Sequence, residues 1–283
     1  MRILSIQSAV SYGHVGNSAA VFPLQRMGHE VMPVNTVLFS NHTGYGAWRG
    51  PLISGDDVTD VITGIDERGG LADTDLVISG YQGSHTIGDA ILGTVEKVRE
   101  RNPQAVYSCD PVLGNRFSGC FVSPEVQELI RDRVVQHADI ITPNQFELGF
   151  LTNTDPSDLE STLESVRKAQ AIGPKTVLVT SVFRPDAPSD TIEMLAVHED
   201  EGWLIQTPRL GGKTNGSGDV TQALFASHFV GGKSLKEALE LTTSSVFELL
   251  ENTRAAGTRE LQLIQSQEAY VSPKHSFVAE RVL

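Results

Sequence analysis

The sequence predicts an α/β protein with a mainly parallel sheet covered by helices on both faces. Three observations carry this. Short Ile- and Val-rich runs recur along the chain, most of them end in small or polar residues, and longer helical patterns lie between them. Such alternation implies right-handed βαβ units, hence parallel strands with crossover helices on either face.

The first strand is predicted at ILSIQS (3–8), followed by a helix over 17–27 closed by Gly28. EVMPVNTV (30–37) is the second strand, and a helix over about 56–68 ends at Gly69. DLVISG (75–80) and AVYSCDP (105–111) flank a helix over 85–101, and a helix over 124–134 leads to ADIITP (138–143). A helix over 157–172 opens at Ser-Asp and stops at Gly173-Pro174, where a C′ glycine is expected. TVLVTS (176–181) follows. EMLAVH (193–198) and GWLIQTP (202–208), split by EDE, form a hairpin at the sheet's far edge. Helices over 219–230 and 234–253 complete the order, with excursions at 39–52 and 113–123. No repeat, low-complexity tract or linker-like run interrupts the pattern, so one domain over 1–283 is expected.

With 22 basic and 35 acidic residues the formal charge is −13, which argues against a nucleic-acid partner. Cys109 and Cys120 form neither C-x-x-C nor a metal spacing with histidine, which fits a reducing compartment. The N-terminus reads as a strand rather than a signal peptide, and no apolar stretch approaches a membrane span. A soluble cytoplasmic protein is expected.

Ligands of such sheets bind outside the carboxyl ends of the strands. Ser8, Asn35, Thr36, Ser79 to Tyr81, Asp110, Thr142 to Asn144, Thr180 and Ser181 stand there. Taken singly, most of these are what any strand end carries before a loop.

GGKTNGSGDVTQALF (211–225) is more informative. The P-loop pattern fails because Thr207 stands where its leading glycine belongs, and the dinucleotide pattern fails at Thr221. What is left is T-x-G-x-G-D opening a helix: Thr214, Gly216, Ser217, Gly218, Asp219. Glycines let several amides point at one anion, whereas an aspartate repels it. Asp219 therefore suits a base that takes the proton of an acceptor hydroxyl while the amides hold a transferring phosphoryl group. An ordinary loop with an N-capping Asp reads equally well from this segment alone.

Asn144 and Glu147 form N-x-x-E after ADIITP, placing an amide and a carboxylate one helical turn apart. Magnesium needs only one or two such oxygen ligands beside phosphates. The same pair also makes a capping-box-like helix start. Asp110 adds a further acid to the rim, and three acids with a glycine hole favour phosphotransfer.

T-x-G-x-G-D together with N-x-x-E resembles the ribokinase superfamily of small-molecule kinases. QSAVSYGHVGNSAAVFPLQRMG (7–28), VNTVLFSNHTGYGAWRG (34–50), SGYQGS (79–84), CDPVLG (109–114) and ADIITPNQFE (138–147) narrow the resemblance to its pyridoxal kinase branch, essentially over the whole chain. The resemblance implies a ribokinase-like three-layer αβα sandwich, usually a homodimer. It implies transfer of the ATP γ-phosphate to the 5′-hydroxymethyl of pyridoxal, with Mg²⁺ or another divalent cation and a possible role for K⁺. On matching positions, Ser8 would bond the pyridine ring, Thr43 and Gly44 would close over it, and Tyr81 would offer a ring face. Asp110, Thr142, Asn144 and Glu147 would surround the ATP phosphates and cations, with Asp110 and Glu147 as metal ligands. Thr180, Ser181 and Thr207-Pro208-Arg209-Leu210 would face the nucleotide. Asp219 would be the base and Gly216, Ser217 and Gly218 the anion hole.

One departure matters. Thr180 and Ser181 stand where much of the bacterial group has a lysine that reaches the ATP phosphates, which resembles the animal branch and implies heavier reliance on Mg²⁺ and K⁺. LGNRFSGCFVSP (113–124) is expected to act as a lid over ATP, and Cys120 within it has no neighbour that would activate its thiol. The competing readings are a hydroxymethylpyrimidine kinase of the same fold and a pyridoxal-binding protein without catalysis.

Overall fold

The computed structural model describes residues 1–212 and 214–283. β1 (Arg2–Tyr12) and β2 (Glu30–Asn41) pair in parallel on either side of α1 (Asn17–Arg26) in the chain. α2 (Gly55–Glu67), β3 (Leu76–Ser79), α3 (His85–Arg101) and β4 (Val106–Cys109) follow. A small hairpin of β5 (Gly114–Asn115) and β6 (Gly119–Cys120) precedes α4 (Pro124–Leu129). Next come β7 (Ile140–Ile141), α5 (Gln145–Thr152), α6 (Leu159–Ile172) and β8 (Thr176–Val182). β9 (Thr191–His198), β10 (Glu201–Pro208), α7 (Ser217–Val230), α8 (Leu235–Ala255) and β11 (Glu280–Arg281) end the chain.

The main sheet has nine strands in the order β11-β10-β9-β8-β7-β4-β3-β1-β2. Neighbours from β2 to β8 are parallel, and those from β8 to β11 antiparallel. Strand alternation sorts the core into two layers. Leu4, Ile6, Val77, Ile141, Val177 and Val179 pack with residues of α2 to α6. Ile3, Leu76, Ile78, Ile140 and Leu178 pack with α1, α7 and α8. The result is a three-layer αβα sandwich. A slip of one residue in any of these strands would swap the two apolar sets, so the pattern also fixes register.

Four details differ from the sequence expectations. β1 and β2 run on past the carboxyl rim, since β1 leaves β3 at Ile6↔Ser79 and its register with β2 shifts between Gln7 and Ala9. Ser8 thus sits in a bulge, not at a strand end. The helix expected over 124–134 ends as α4 at Leu129 and continues as a π turn over Ile130–Val134. That wider turn lets Leu129, Ile130, Val134 and Val135 all bury. The hairpin of β9 and β10 is not the far edge, because β11 pairs with β10 outside it. Gly173 has extended backbone (φ 170°), and its place is one of close approach: a Cβ would overlap the Gln136 carbonyl. In addition, α1 buries Ala19, Ala20 and Leu24 within the chain, so its apolar side is already covered.

Candidate active site

The glycine segment is built into the fold by close packing. Gly216, the N-cap of α7, has φ 87°, and a Cβ there would overlap the His14 carbonyl oxygen. Glycine alone meets both demands. Among the described residues no side chain caps the helix, so the amides of Ser217 and Gly218 are left for a ligand, and both residues line the adjacent cleft. One turn on, Gln222 donates from Nε2 to the carbonyls of Ser79 (2.9 Å) and Ser108 (3.1 Å). These bonds pin α7 to the ends of β3 and β4.

Asp219 is the third residue of α7 and is largely but not wholly buried. Its carboxylate accepts the N–H groups of Gly16 and of Asp219 itself, while desolvation pushes its pKa up to about 6. A Cβ on Gly80 would lie 3.6 Å from Asp219 Oδ1, and one on Gly218 would lie 3.6 Å from Asp110 Oδ2. The two aspartates therefore flank the head of α7.

Asp110 is buried, and burial first, then the charges of Glu147 and Asp219, hold its carboxyl well above the usual range. Glu147 is 4% exposed. Its Oε1 accepts the amides of Leu113 (2.9 Å) and Gly114 (3.2 Å), and its Oε2 accepts that of Asn144 (2.9 Å). Burial outweighs these three bonds and raises its pKa to about 7. Asn144 accepts the Glu147 amide in return, so the capping box is present. Capping and a place beside the other acids coincide in one residue. Thr142 Oγ1 is buried without a partner. Two buried acids with no ion-pair partner among the described residues, beside an unpartnered hydroxyl, fit a small cation. Among the described residues no group of three or more His, Cys, Asp or Glu could hold a metal, so phosphate or water would have to complete its shell.

An open cleft of about 1640 Å³ runs from the head of α7 toward β9 and β10. Asn144, Thr180, Ser181, Thr207, Pro208, Arg209, Leu210, Ser217 and Gly218 line it, which brings these sequence-selected residues together. Asp110, Thr142, Glu147 and Asp219 are not in its lining. Ser8, Thr43, Gly44 and Tyr81 also lie outside it. A Cβ on Gly16 would overlap the Ser8 carbonyl, so Ser8 adjoins the loop that holds Asp219. Tyr81 is half-buried against the core of the α2–α6 layer, and burial raises the pKa of its phenol.

Thr43 and Gly44 lie in an exposed 3₁₀ turn over Thr43–Tyr45. His42 Nδ1 accepts the Gly44 amide at 3.1 Å, and burial lowers its pKa, so this histidine caps the turn in its neutral form. The turn is tied to residues the sequence did not single out. Tyr45 donates its phenol to Glu260 at 2.6 Å, and Arg259 donates to the Gly44 carbonyl at 3.2 Å. Glu260 also accepts the His14 amide at 3.0 Å, joining the turn to the loop after β1. The lid expected over 113–124 contains the β5–β6 hairpin, and burial raises the Cys120 thiol.

A family model described as phosphomethylpyrimidine kinase matches residues 86–263. The chain is 62% identical over 282 residues to "Pyridoxal kinase PdxY" of Leifsonia xyli subsp. xyli and 57% identical over 282 residues to that of Corynebacterium diphtheriae, with 100% of each chain covered. Among solved structures, it is similar to a pyridoxal kinase from Leishmania donovani in complex with ADP and pyridoxamine. The TM-score is 0.93 at 29% identity, covering 100% of this chain and 99% of that one. Identity at this level along the whole length, on the same sandwich, leaves one conclusion: the chain belongs to the pyridoxal kinase family.

Proposed function

We propose that Asp219 is the base of an ATP-dependent pyridoxal kinase reaction. The 5′-hydroxyl of pyridoxal gives its proton to Asp219, its oxygen bonds to the γ-phosphorus of ATP, and the bond from that phosphorus to the β–γ bridging oxygen breaks. The products are pyridoxal 5′-phosphate and ADP. The observation that carries this reading is the place of Asp219: it lies between the uncapped amides facing the cleft and the Gly16 loop that adjoins Ser8. ATP would occupy the cleft, with Gly216, Ser217 and Gly218 receiving the transferring group. Pyridoxal would lie on the side of Ser8, Thr43, Gly44 and Tyr81.

Asp110, Glu147 and Thr142 would hold a divalent cation such as Mg²⁺, which when bound would offset the charge of the phosphates. Thr180 and Ser181 offer oxygens to the phosphates or to K⁺. We read the chain as one domain, because its sheet takes strands from Arg2 to Arg281. We place it in the cytoplasm, on its two free cysteines. We also propose a homodimer through the surface formed by β2 and the 49–53 segment bonded along its outer edge, where Leu38, Trp48 and Leu52 are exposed.

The test is ATP-dependent phosphorylation of pyridoxal, pyridoxine and hydroxymethylpyrimidine by the purified protein. Turnover of pyridoxal supports the reading. Turnover of hydroxymethylpyrimidine alone would transfer it to the substrate class of the matched family model. Pyridoxal binding without phosphorylation would make the chain a binding protein.

A further inference from the structure

Strand β8 presents the hydroxyls of Thr180 and Ser181 to the cleft, so these positions bring no positive charge to it. Four arginines line that cleft: Arg116, Arg131, Arg184 and Arg209. Two are engaged. Arg131 pairs with Asp132 at 2.6 Å, and Arg184 pairs with Glu193 at 2.7 Å and Asp186 at 2.9 Å. Arg116 and Arg209 form no ion pair among the described residues. Both guanidinium groups instead stand over one ring, that of Phe183, at 4.7 Å and 5.1 Å from its centroid. Phe183 is the residue immediately after β8.

The two arginines come from separate segments. Arg116 is at the tip of the β5–β6 hairpin, whose Gly114 donates its amide to Glu147 and accepts from Asn144 Nδ2 at 2.8 Å. The hairpin is therefore rooted in the acidic end of the site. Arg209 follows β10, its amide bonded to the Asp190 carbonyl at 2.7 Å. Two like charges converging on one ring repel each other, and the ring face offsets only part of that cost. An anion between them would remove the conflict, and a polyphosphate suits it because guanidinium binds phosphate in a bidentate fork.

We propose that Arg116 and Arg209 form a clamp for the ATP polyphosphate, seated on Phe183, that supplies the positive charge β8 lacks. This deepens the kinase reading and rests on the nucleotide's occupying this cleft.

The test compares binding of ADP, adenosine and tripolyphosphate to the wild-type protein and to Arg116→Met, Arg116→Lys and Arg209→Met by calorimetry, with KM for ATP and kcat alongside. Thermal melting checks that the variants fold. The clamp predicts that each Met variant loses roughly ten- to hundredfold in affinity for ADP and tripolyphosphate, with adenosine changed less than twofold. Arg116→Lys recovers part of the loss, and KM for ATP rises more than kcat falls. Equal losses for adenosine and ADP would overturn it in favour of adenine stacking, and unchanged ADP binding would overturn it outright. If wild-type protein binds neither ADP nor tripolyphosphate, the kinase reading itself fails.

Discussion

The Asp219 carboxylate accepts the backbone N–H of Gly16, so the loop after β1 holds this side chain at the head of α7. The same loop overlies Gly216 through the His14 carbonyl and reaches Glu260 through the His14 amide. Asp219, the head of α7 and the Thr43–Tyr45 turn are thus tied to one short segment.

Asp219 titrates at about 6 because desolvation outweighs its two amide bonds. A base must be ionised to work, so activity is present above that pH and lost as pH falls through it. The logarithm of kcat should be flat above pH 7 and fall with a slope approaching one below about 6. Rates measured across the acid range with saturating pyridoxal and ATP check this; a flat profile would contradict it.

The same shift has a consequence for stability. With a folded pKa of about 6 against 3.8 for the free side chain, the charged carboxylate disfavours the folded state above pH 6, and the penalty vanishes below 3.8. Asp219→Asn should therefore raise the melting temperature at pH 8, by no more than about 3 kcal/mol in stability, less where cleft water already solvates the charge. The gain should shrink as pH is lowered through 6. An unchanged or lower melting temperature at pH 8 would argue against the burial account.

Asp110 and Glu147 should separate when replaced. The Asp110 carboxylate accepts no hydrogen bond among the described residues, so Asp110→Asn should leave folding intact and raise the Mg²⁺ concentration needed for half-maximal rate. Glu147→Ala orphans three amides, at about 1–3 kcal/mol each where they stay buried, and should lower the melting temperature sharply. Melting curves and Mg²⁺ titrations of both variants decide the matter. A destabilised Asp110→Asn with unaltered metal dependence would reverse the assignment.

Tyr45 and Glu260 should act on one substrate only. Tyr45→Phe and Glu260→Gln loosen the turn carrying Thr43 and Gly44, so KM for pyridoxal should rise about three- to tenfold, the effect of losing a bond worth about 1 kcal/mol. KM for ATP should stay within twofold. Equal changes in both constants would show a general structural role instead.

Much of this was legible in the sequence because the relevant signals are local. Alternating Ile and Val runs placed the strands that make up the two core layers, and T-x-G-x-G-D placed Asp219 at a helix start. What escaped has no local pattern. The strand at Glu280–Arg281 is too short to show a period. The extension of β1 and β2 past the rim looks in sequence like strand followed by loop, since Ser8 sits in a bulge. Glu260 reaches His14 across 246 residues and Gln222 reaches Ser79 across 143, so only the fold brings them together. On the proposal above, the positive charge that Thr180 and Ser181 do not bring would come from Arg116 and Arg209, whose shared seat on Phe183 has no local pattern in the sequence.

The most direct measurement is the rate of pyridoxal phosphorylation by Asp219→Asn beside the wild type, with pyridoxal and ADP binding measured on both. The account predicts that the variant binds both ligands within a fewfold of wild type while kcat falls by about 10²–10⁴, the usual worth of a general base. A variant that binds both ligands and keeps most of its turnover would contradict it.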